Sequence, residues 1–406
     1  MEQWKSNLYI LWISQIISLT SFGFGLPFMP FYIQDLGVTD PTTLKLYTGL
    51  LSAAPAVTMA IMAPVWGILS DRYGRKLMIQ RAMFTAFFII GLMGMVGQVW
   101  QLLILRLLQG FFTGTVTASS TFVAANTPDN KLSYALGFLS SSTFIGYSLG
   151  PLIGGFVAEY FGYRVSFFLG AILMLVGAFF ITFWLVEDKS SLKELSQRVK
   201  SAASGEKREL TYRKILTMSI ALMLLMLFFH RIIRSVFTPF IPLYIQELMH
   251  TQEGTAAMTG LVNGFVGVMT TIAALFISRL GDRYNKFNLI ALLLGLAIGV
   301  SLILNLSHSL YAFIGLYGVL FLLIGGIEPL ITSMTAGLTA PEYRGSLFGL
   351  QGLVGSLGWM VSPAIGTYIS IYVGIKNILW IGFVMLIINF LVISIIKYKN
   401  ARTNYE

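Results

Sequence analysis

The chain has 406 residues, of which 56% are hydrophobic, 14% aromatic and only 11% charged, with no Cys and a formal charge of +10. A soluble globular chain carries about 25% charged and about 45–50% apolar residues, so this composition, with a mean hydropathy of +0.78, excludes a water-borne globule and defines an all-α polytopic membrane protein. The missing Cys excludes disulfides, iron–sulfur clusters and thiolate zinc sites, three scattered His (His230, His250, His308) argue against a metal centre, and the lack of a GxxxxGK[ST] run argues against ATP as the energy source.

In chain order, apolar runs long enough to cross a bilayer lie near residues 8–34, 46–70, 77–97, 101–126, 133–160 and 164–187. A second set lies near 215–247, 257–281, 287–306, 309–339, 345–372 and 376–397. The long polar stretch 188–214 separates them and reads as a cytoplasmic linker between two six-helix bundles, 1–187 and 215–406. The first run is too long for a signal peptide and lacks a small-residue cleavage site, so it reads as a retained span.

Lys and Arg divide sharply by side. Of the 27, Lys45, Arg164 and Lys376 fall on the side opposite the N-terminus, and Arg106, Arg231 and Arg234 lie within spans. All the others lie at the N-terminus, in the even-numbered loops or at the C-terminus, or, like Arg81 and Arg279, just inside a span next to such a loop, which predicts both termini in the cytoplasm. The basic charge is thereby a matter of topology, and no nucleic-acid partner is implied.

The two sets repeat. Residues 26–36 (LPFMPFYIQDL) and 238–248 (TPFIPLYIQEL) share seven of eleven positions at an offset of 212. Asp71-Arg72-Tyr73 recurs as Asp282-Arg283-Tyr284 at offset 211, and GYSLGPLIGG (146–155) aligns with GWMVSPAIGT (358–367) at 212. Matches in the first, second and fifth span of each half define two homologous bundles in parallel orientation.

These segments resemble one family. Gly67-Ile68-Leu69-Ser70-Asp71-Arg72-Tyr73-Gly74-Arg75-Lys76 is similar to the GxLaDrxGrk loop of the major facilitator superfamily. LLILRLLQG (102–110), with Arg106 and Gly110, resembles its fourth-span motif, GYSLGPLIGG its fifth-span antiporter motif, and Leu26-Pro27-Phe28-Met29-Pro30 the first-span motif of its twelve-span drug:proton antiporters. The second-half copies are degraded: Asn285 stands for Gly74, Ser362 for Gly150, and Gly318 for Arg106. The resemblance spans the whole chain and implies the major facilitator fold, twelve helices in two pseudo-symmetric bundles.

It also implies roles. Asp71 would latch the halves on the cytoplasmic side by facing the start of span eleven at Gly345, where a helix dipole favours an anion. Gly67 would let helices touch, Arg75 would pair with Asp129, and Arg72, Gly74 and Lys76 complete the gate. The other reading is that these charges only set topology. Gly146, Gly150 and Gly154, with Pro151 and Gly155, are small-residue steps that let backbones approach in lipid; they serve either ordinary packing, as expected for Gly110 with Gly114 and Gly260 with Gly264, or the half-to-half interface of an antiporter.

Ionisable residues inside spans are costly and usually functional. Glu328 lies near the middle of span ten (LIGGIEPLI), and His230, Arg231 and Arg234 near the middle of span seven (LFFHRIIRSVF). The resemblance puts spans one, four, seven and ten around a central cavity, so these residues and Arg106 are candidate substrate contacts, with Phe28, Tyr32 and Trp359, and with Phe24 and Phe240, as aromatic lining. An isolated carboxylate in apolar surroundings holds its proton, whereas a neighbouring Arg draws it off, so Glu328 is the expected proton-coupling group and Arg231 or Arg234 its partner; a static ion pair is the alternative. Asp35 and Glu247, five residues beyond Pro30 and Pro242, read as headgroup-level acids or as an outer gate, Asp35 being the second coupling candidate.

The expected function is secondary active transport: export of amphipathic organic compounds against protons by alternating access, driven by the proton gradient with no cofactor. The alternative is a carrier of one solute, such as a lysolipid, siderophore, sugar or organic anion, a choice that three intramembrane Arg keep open. No nucleophile–base–orienter set supports an enzyme. The expected setting is a monomer in a cell membrane, the bacterial cytoplasmic membrane foremost, with small-molecule substrate, protons and lipid as its partners.

Overall fold

In hydrocarbon every backbone N–H and C=O must find a partner within the protein, so apolar runs of this length become helices. The computed structural model describes residues 2–128, 131–187, 216–339 and 344–403; the linker 188–214 and Asp129 lie outside the described residues, as do the side chain of Asp71 and the surroundings of Gly345. Among the described residues there are 12 spans: Gln3–Asp35, Pro41–Ala63, Arg75–Met93, Val99–Ala124, Tyr134–Phe161, Tyr163–Trp184, Met218–Met249, Thr255–Arg283, Lys286–Leu306, Leu310–Gly337, Leu347–Tyr372 and Ile378–Tyr398. Each coincides with a run expected from hydropathy.

The helices are not alike. Spans one, four, seven and ten are each interrupted, whereas the other eight run unbroken among the described residues. Span one passes from Gln3–Gly25 through a 3-10 turn, Leu26–Phe28, to Met29–Asp35, and span seven does the same through Thr238–Phe240. Pro27 and Pro30, matched by Pro239 and Pro242, explain both, because each Pro removes a helical N–H and crowds the preceding turn.

Span four breaks between Val99–Phe112 and Thr115–Asn126 at Gly114, whose φ of 139° suits only glycine. The break frees the carbonyl of Phe111, and the indole N–H of Trp66, on the helix Pro41–Tyr73 that contains span two, donates to it at 2.7 Å. Span ten breaks between Leu310–Ile324 and Ile327–Gly337 at Gly325 and Gly326. Interruptions at every third span are the pattern of three-helix repeats, and interrupted helices are where transporters build their sites.

The described residues group into two compact units. Those within Met1–Ala203 and Met249–Gly267 form the first, and those within Ser204–Leu248 and Val268–Glu406 the second. In the first, span one packs along spans five and six, span three along span six, and span two along span four. Its buried stripe is polar: Asn7 donates to the Val186 carbonyl (2.7 Å), Gln15 to Thr143 (2.8 Å) and Ser21 to the Gly170 carbonyl (2.6 Å). Such bonds give specificity where lipid supplies no hydrophobic drive between helices. In the second, span seven packs on spans eleven and twelve, and span nine on spans ten and twelve.

Candidate functional site

Glu328 stands in the first turn of the second half of span ten, just past the Gly325–Gly326 break. Arg231 Nη2 bonds its Oε1, and Arg234 Nη1 lies 3.4 Å from its Oε2. Two guanidinium groups and the positive end of a helix thus converge on one carboxylate, where a single Arg partner was expected. The three side chains are 22–33% exposed, so the cluster is half-buried and reachable. Arg231 and Arg234 share a helical face as i and i+3.

Glycine makes the space. A Cβ on Gly358 of span eleven would lie 2.8 Å from the Arg231 Cβ, and one on Gly355 would lie 3.3 Å from its Nε. One turn on, the hydroxyls of Ser235 and Ser362 meet at 2.5 Å. His230 does not join. It is fully buried, and neither ring nitrogen has a hydrogen-bond partner. Depth in the span made it a cavity candidate, but about 100° of rotation separates it from Arg231, and that turns it into the bundle; we correct its assignment to the interior.

Arg106 lies in the first unit with partners of its own. Its Nε donates to the Leu51 carbonyl at 2.7 Å and its Nη1 to Gln109 Oε1 at 2.5 Å. That carbonyl is available because Pro55, four residues on, has no N–H to give it. Gly110 brings span four onto the same Pro55 and onto Thr58, and the Thr58 hydroxyl donates to the Leu107 carbonyl at 2.9 Å.

The segment 67–76 is two helix ends joined at Gly74, and it is held from an unexpected direction. Gly74 takes a φ of 101° at the turn. The carboxylate of Glu187, at the end of span six, accepts the backbone N–H groups of Arg75 (2.8 Å) and Lys76 (3.0 Å), and Lys76 Nζ donates to the Thr182 and Leu185 carbonyls. Arg72 is exposed, its guanidinium 5.3 Å from the Tyr73 ring centre. Gly67 is exposed, and among the described residues a Cβ there would meet nothing within 4 Å. The pairing of Arg75 with Asp129 and the Asp71 contact fall on side chains outside the described residues.

In span five the glycine run divides. Gly146, Gly150 and Gly154 seat span one, where added Cβ atoms would come within 2.6 Å of Leu19, 2.7 Å of the Thr20 carbonyl and 2.5 Å of Phe24 Cα. Their copies do the same 212 positions on: Gly358 faces Arg231, Ser362 bonds Ser235, and Gly366 faces the Val236 carbonyl. These three are therefore bundle packing, repeated in both halves. Gly155, copied as Thr367, faces span eight instead, with its Cβ position 2.8 Å from Gly260 Cα and from the Ala256 carbonyl; Gly260 in turn rests on the Pro151 carbonyl and Gly264 on Leu152. Gly260 and Gly264 are thus the partner surface of the span-five motif.

The aromatic assignments also change. Tyr32 is fully buried, and its hydroxyl donates to the Met93 carbonyl at 2.9 Å. Phe28 packs with Phe31, Ala158 and Ala256, while Phe24 and Phe240 are buried as well. Proline kinks turn these rings into the helix bundle, so Phe28 and Tyr32 are not cavity lining. Trp359 is 44% exposed. Asp35 is exposed at the end of span one, and Glu247 is exposed at the matching place in span seven.

A fold of twelve spans, interrupted at every third and carrying a carboxylate–arginine cluster at one interruption, is that of a secondary transporter. Over residues 11–325 and 223–405 the chain matches the family described as the Major Facilitator Superfamily. It is 31% identical over 417 residues to a "Multi-drug resistance efflux pump PmrA homolog" of Lactococcus lactis subsp. lactis (strain IL1403), covering 99% of this chain and 98% of that one. With "Multidrug resistance protein MdtG" of Proteus mirabilis (strain HI4320) it shares 29% identity over 409 residues, 99% and 98% of the two chains.

Among solved structures, a bacterial homologue of the human lysosomal transporter Spinster, inward-facing and occupied, superposes with a TM-score of 0.78 at 13% identity over 98% of each chain. A D-xylose–proton symporter does so with 0.74 at 16% identity over 95% and 97%. At such identities these two speak for the fold alone. The chain belongs to the major facilitator superfamily, a multi-pass membrane transporter and not an enzyme.

Proposed function

We propose that this chain exports amphipathic organic compounds across the bacterial cytoplasmic membrane in exchange for protons, by alternating access. The observation that carries the reading is the Glu328–Arg231–Arg234 cluster at the break of span ten, in a chain similar along its length to multidrug-resistance proteins. A proton placed on Glu328 removes the charge that both arginines hold. A cationic or neutral substrate competes with that proton for the carboxylate region, so substrate and proton exclude one another, which is the requirement for exchange. An anionic one would instead bind the arginines that protonation of Glu328 frees and leave as Glu328 deprotonates.

In this scheme the moving bodies are residues 1–187 and 215–406, joined by the linker 188–214, and they rock about a midplane site. Both termini face the cytoplasm, on the strength of the Lys and Arg distribution. The carrier works as a monomer with no nucleic-acid partner, and Arg106, on the interrupted span four, and Trp359 are its further substrate contacts. Asp35 is the second coupling acid.

Everted membrane vesicles provide the test. Uptake of several unrelated amphipathic compounds should rise when a pH gradient, acid inside, is imposed and should collapse when an ionophore dissipates it. Competition among those compounds is expected as well. Uptake indifferent to the gradient would remove the coupling from the reading, and uptake of one solute with no cross-competition would point to a dedicated carrier.

The cytoplasmic gate is tested by Asp71→Asn. An amide keeps the shape of the carboxylate and loses the charge that a helix start favours, a difference of about 0.3–1 kcal/mol at such a position. Turnover should fall about two- to fivefold by that energy, while substrate binding and membrane insertion stay at wild-type levels. Unchanged turnover in a well-inserted Asp71→Asn protein would reduce the acid to a topology signal.

A further inference from the structure

At the outer end of span five a carboxylate caps a helix. Glu159 Oε1 accepts the backbone N–H of Gly254 at 2.6 Å, and Oε2 accepts those of Ala256 at 3.1 Å and Ala257 at 3.4 Å. These are the N–H groups at the start of span eight, Thr255–Arg283, which have no partner within their own helix. Four residues back, Gly155 lies against Gly260 of the same span, so the cap sits above a close helix–helix approach. Both segments belong to the first compact unit, yet they come from different six-span repeats.

The sequence around Glu159 repeats the cytoplasmic gate. Gly155-x3-Glu159-x2-Gly162-Tyr163-Arg164 has the spacing of Gly67-x3-Asp71-x2-Gly74-Arg75-Lys76, 88 positions earlier. Gly162 and Gly74 both take positive φ, 84° and 101°, and end their helices in the same way. Spans two and five hold the same place in successive three-span repeats, and so do spans eleven and eight. The charge distribution puts the first segment inside and the second outside.

We propose that Glu159 is the extracytoplasmic latch of this transporter, the inverted-repeat counterpart of Asp71, which holds the outer ends of spans five and eight together and must let go for the outer side to open. The proposal deepens the alternating-access reading above and rests on it. The latch is lopsided. Carrying the pattern by 212 gives Thr367, Ile371, Gly374 and Lys376 at the outer end of span eleven: the glycine keeps its positive φ of 110°, but Ile371 stands where the acid would be. On the cytoplasmic side both copies keep an acid, Asp71 and Asp282. The outer closure therefore relies on one carboxylate where the inner has two, and removing Glu159 should shift the protein toward an open outer side.

The chain has no Cys, so two introduced thiols at exposed Tyr160 and Gln252 can carry spin labels without background. The distance between them is measured in the full-length protein in lipid nanodiscs. Glu159→Ala should raise the ratio of long to short distances about tenfold, the combined effect of a lost cap and a lost charge at a helix start. Glu159→Gln, which keeps an acceptor oxygen and loses the charge, should fall between that and the parent, and it decides the matter if the alanine variant does not insert. Parent-like distributions in both variants overturn the latch. The measurement uses neither substrate nor gradient, so it stands apart from the export assay. A shift without gradient-driven export would sink the export reading and keep the latch; export without a shift would do the reverse.

Discussion

Glu328→Gln is expected to abolish gradient-driven transport and to leave substrate binding in place. The substitution preserves shape and one acceptor oxygen, although its NH2 cannot accept from the second arginine, and it removes the proton-accepting carboxylate at the span-ten break. Loss of a group that carries the proton costs about 100-fold or more in rate. Uphill uptake into everted vesicles should therefore fall to background, while equilibrium binding of a fluorescent substrate stays within a few-fold of wild type. Downhill exchange, which needs no proton cycle, should survive. Should the Gln variant pump uphill with the wild-type proton dependence, coupling belongs elsewhere, and exposed Asp35 is the next position to test.

The second large effect separates a working ion pair from a static one. Removing one member of a fully buried pair costs about 3–5 kcal/mol because the other is left uncompensated. These side chains are 22–33% exposed, so water offsets part of that, and about 1–3 kcal/mol is expected for Arg231→Leu, with Arg234 still within reach of Glu328. Glu328→Leu should cost more, because it leaves two arginines facing each other without an acid. The double variant should be less destabilised than the two single losses added together, with a coupling of about 1–3 kcal/mol, read from unfolding in detergent. A coupling below about 0.5 kcal/mol would mean that the pair adds no stability. If the double variant is as stable as the parent and still pumps, the cluster is neither a strut nor a proton site.

Much of the architecture is legible in the sequence, and for identifiable reasons. All 12 spans follow from hydropathy because each apolar run must be satisfied within itself. The breaks of spans one and seven are written in Pro27, Pro30, Pro239 and Pro242. Those of spans four and ten rest on Gly114 and on Gly325 with Gly326, and glycine, common in membrane helices for packing, does not by itself announce a break. Glu328 and its arginines are conspicuous by depth, since Glu328 is the one acid near the middle of a span and Arg231 and Arg234 lie near the middle of theirs. The two-armed hold is not, because i, i+3 and i, i+4 pairs on one helix are equally available on paper and only the position of span ten chooses between them.

Other features of the site stayed hidden. Glu187 and Glu159 read as ordinary acids at span ends, yet each caps the start of another helix. Their partners are backbone N–H groups, which carry no residue-type signature, so nothing in the sequence names the pairing. Phe28, Tyr32 and His230 failed in the opposite sense: residue type and depth made them cavity candidates, and packing turned them inward.

By itself, then, the sequence determined what is local or periodic: a membrane chain, the number and place of its spans, the 212-residue repeat, and an acid and three arginines at a depth where charge demands a use. The tertiary structure decided which way each side chain faces and which carbonyl or N–H it meets. Hydropathy and repetition are properties of composition along the chain, so they survive without coordinates. Azimuth around a helix is set by what packs against it, as when Gly358 leaves room for Arg231 while His230, one residue away, is closed into the interior.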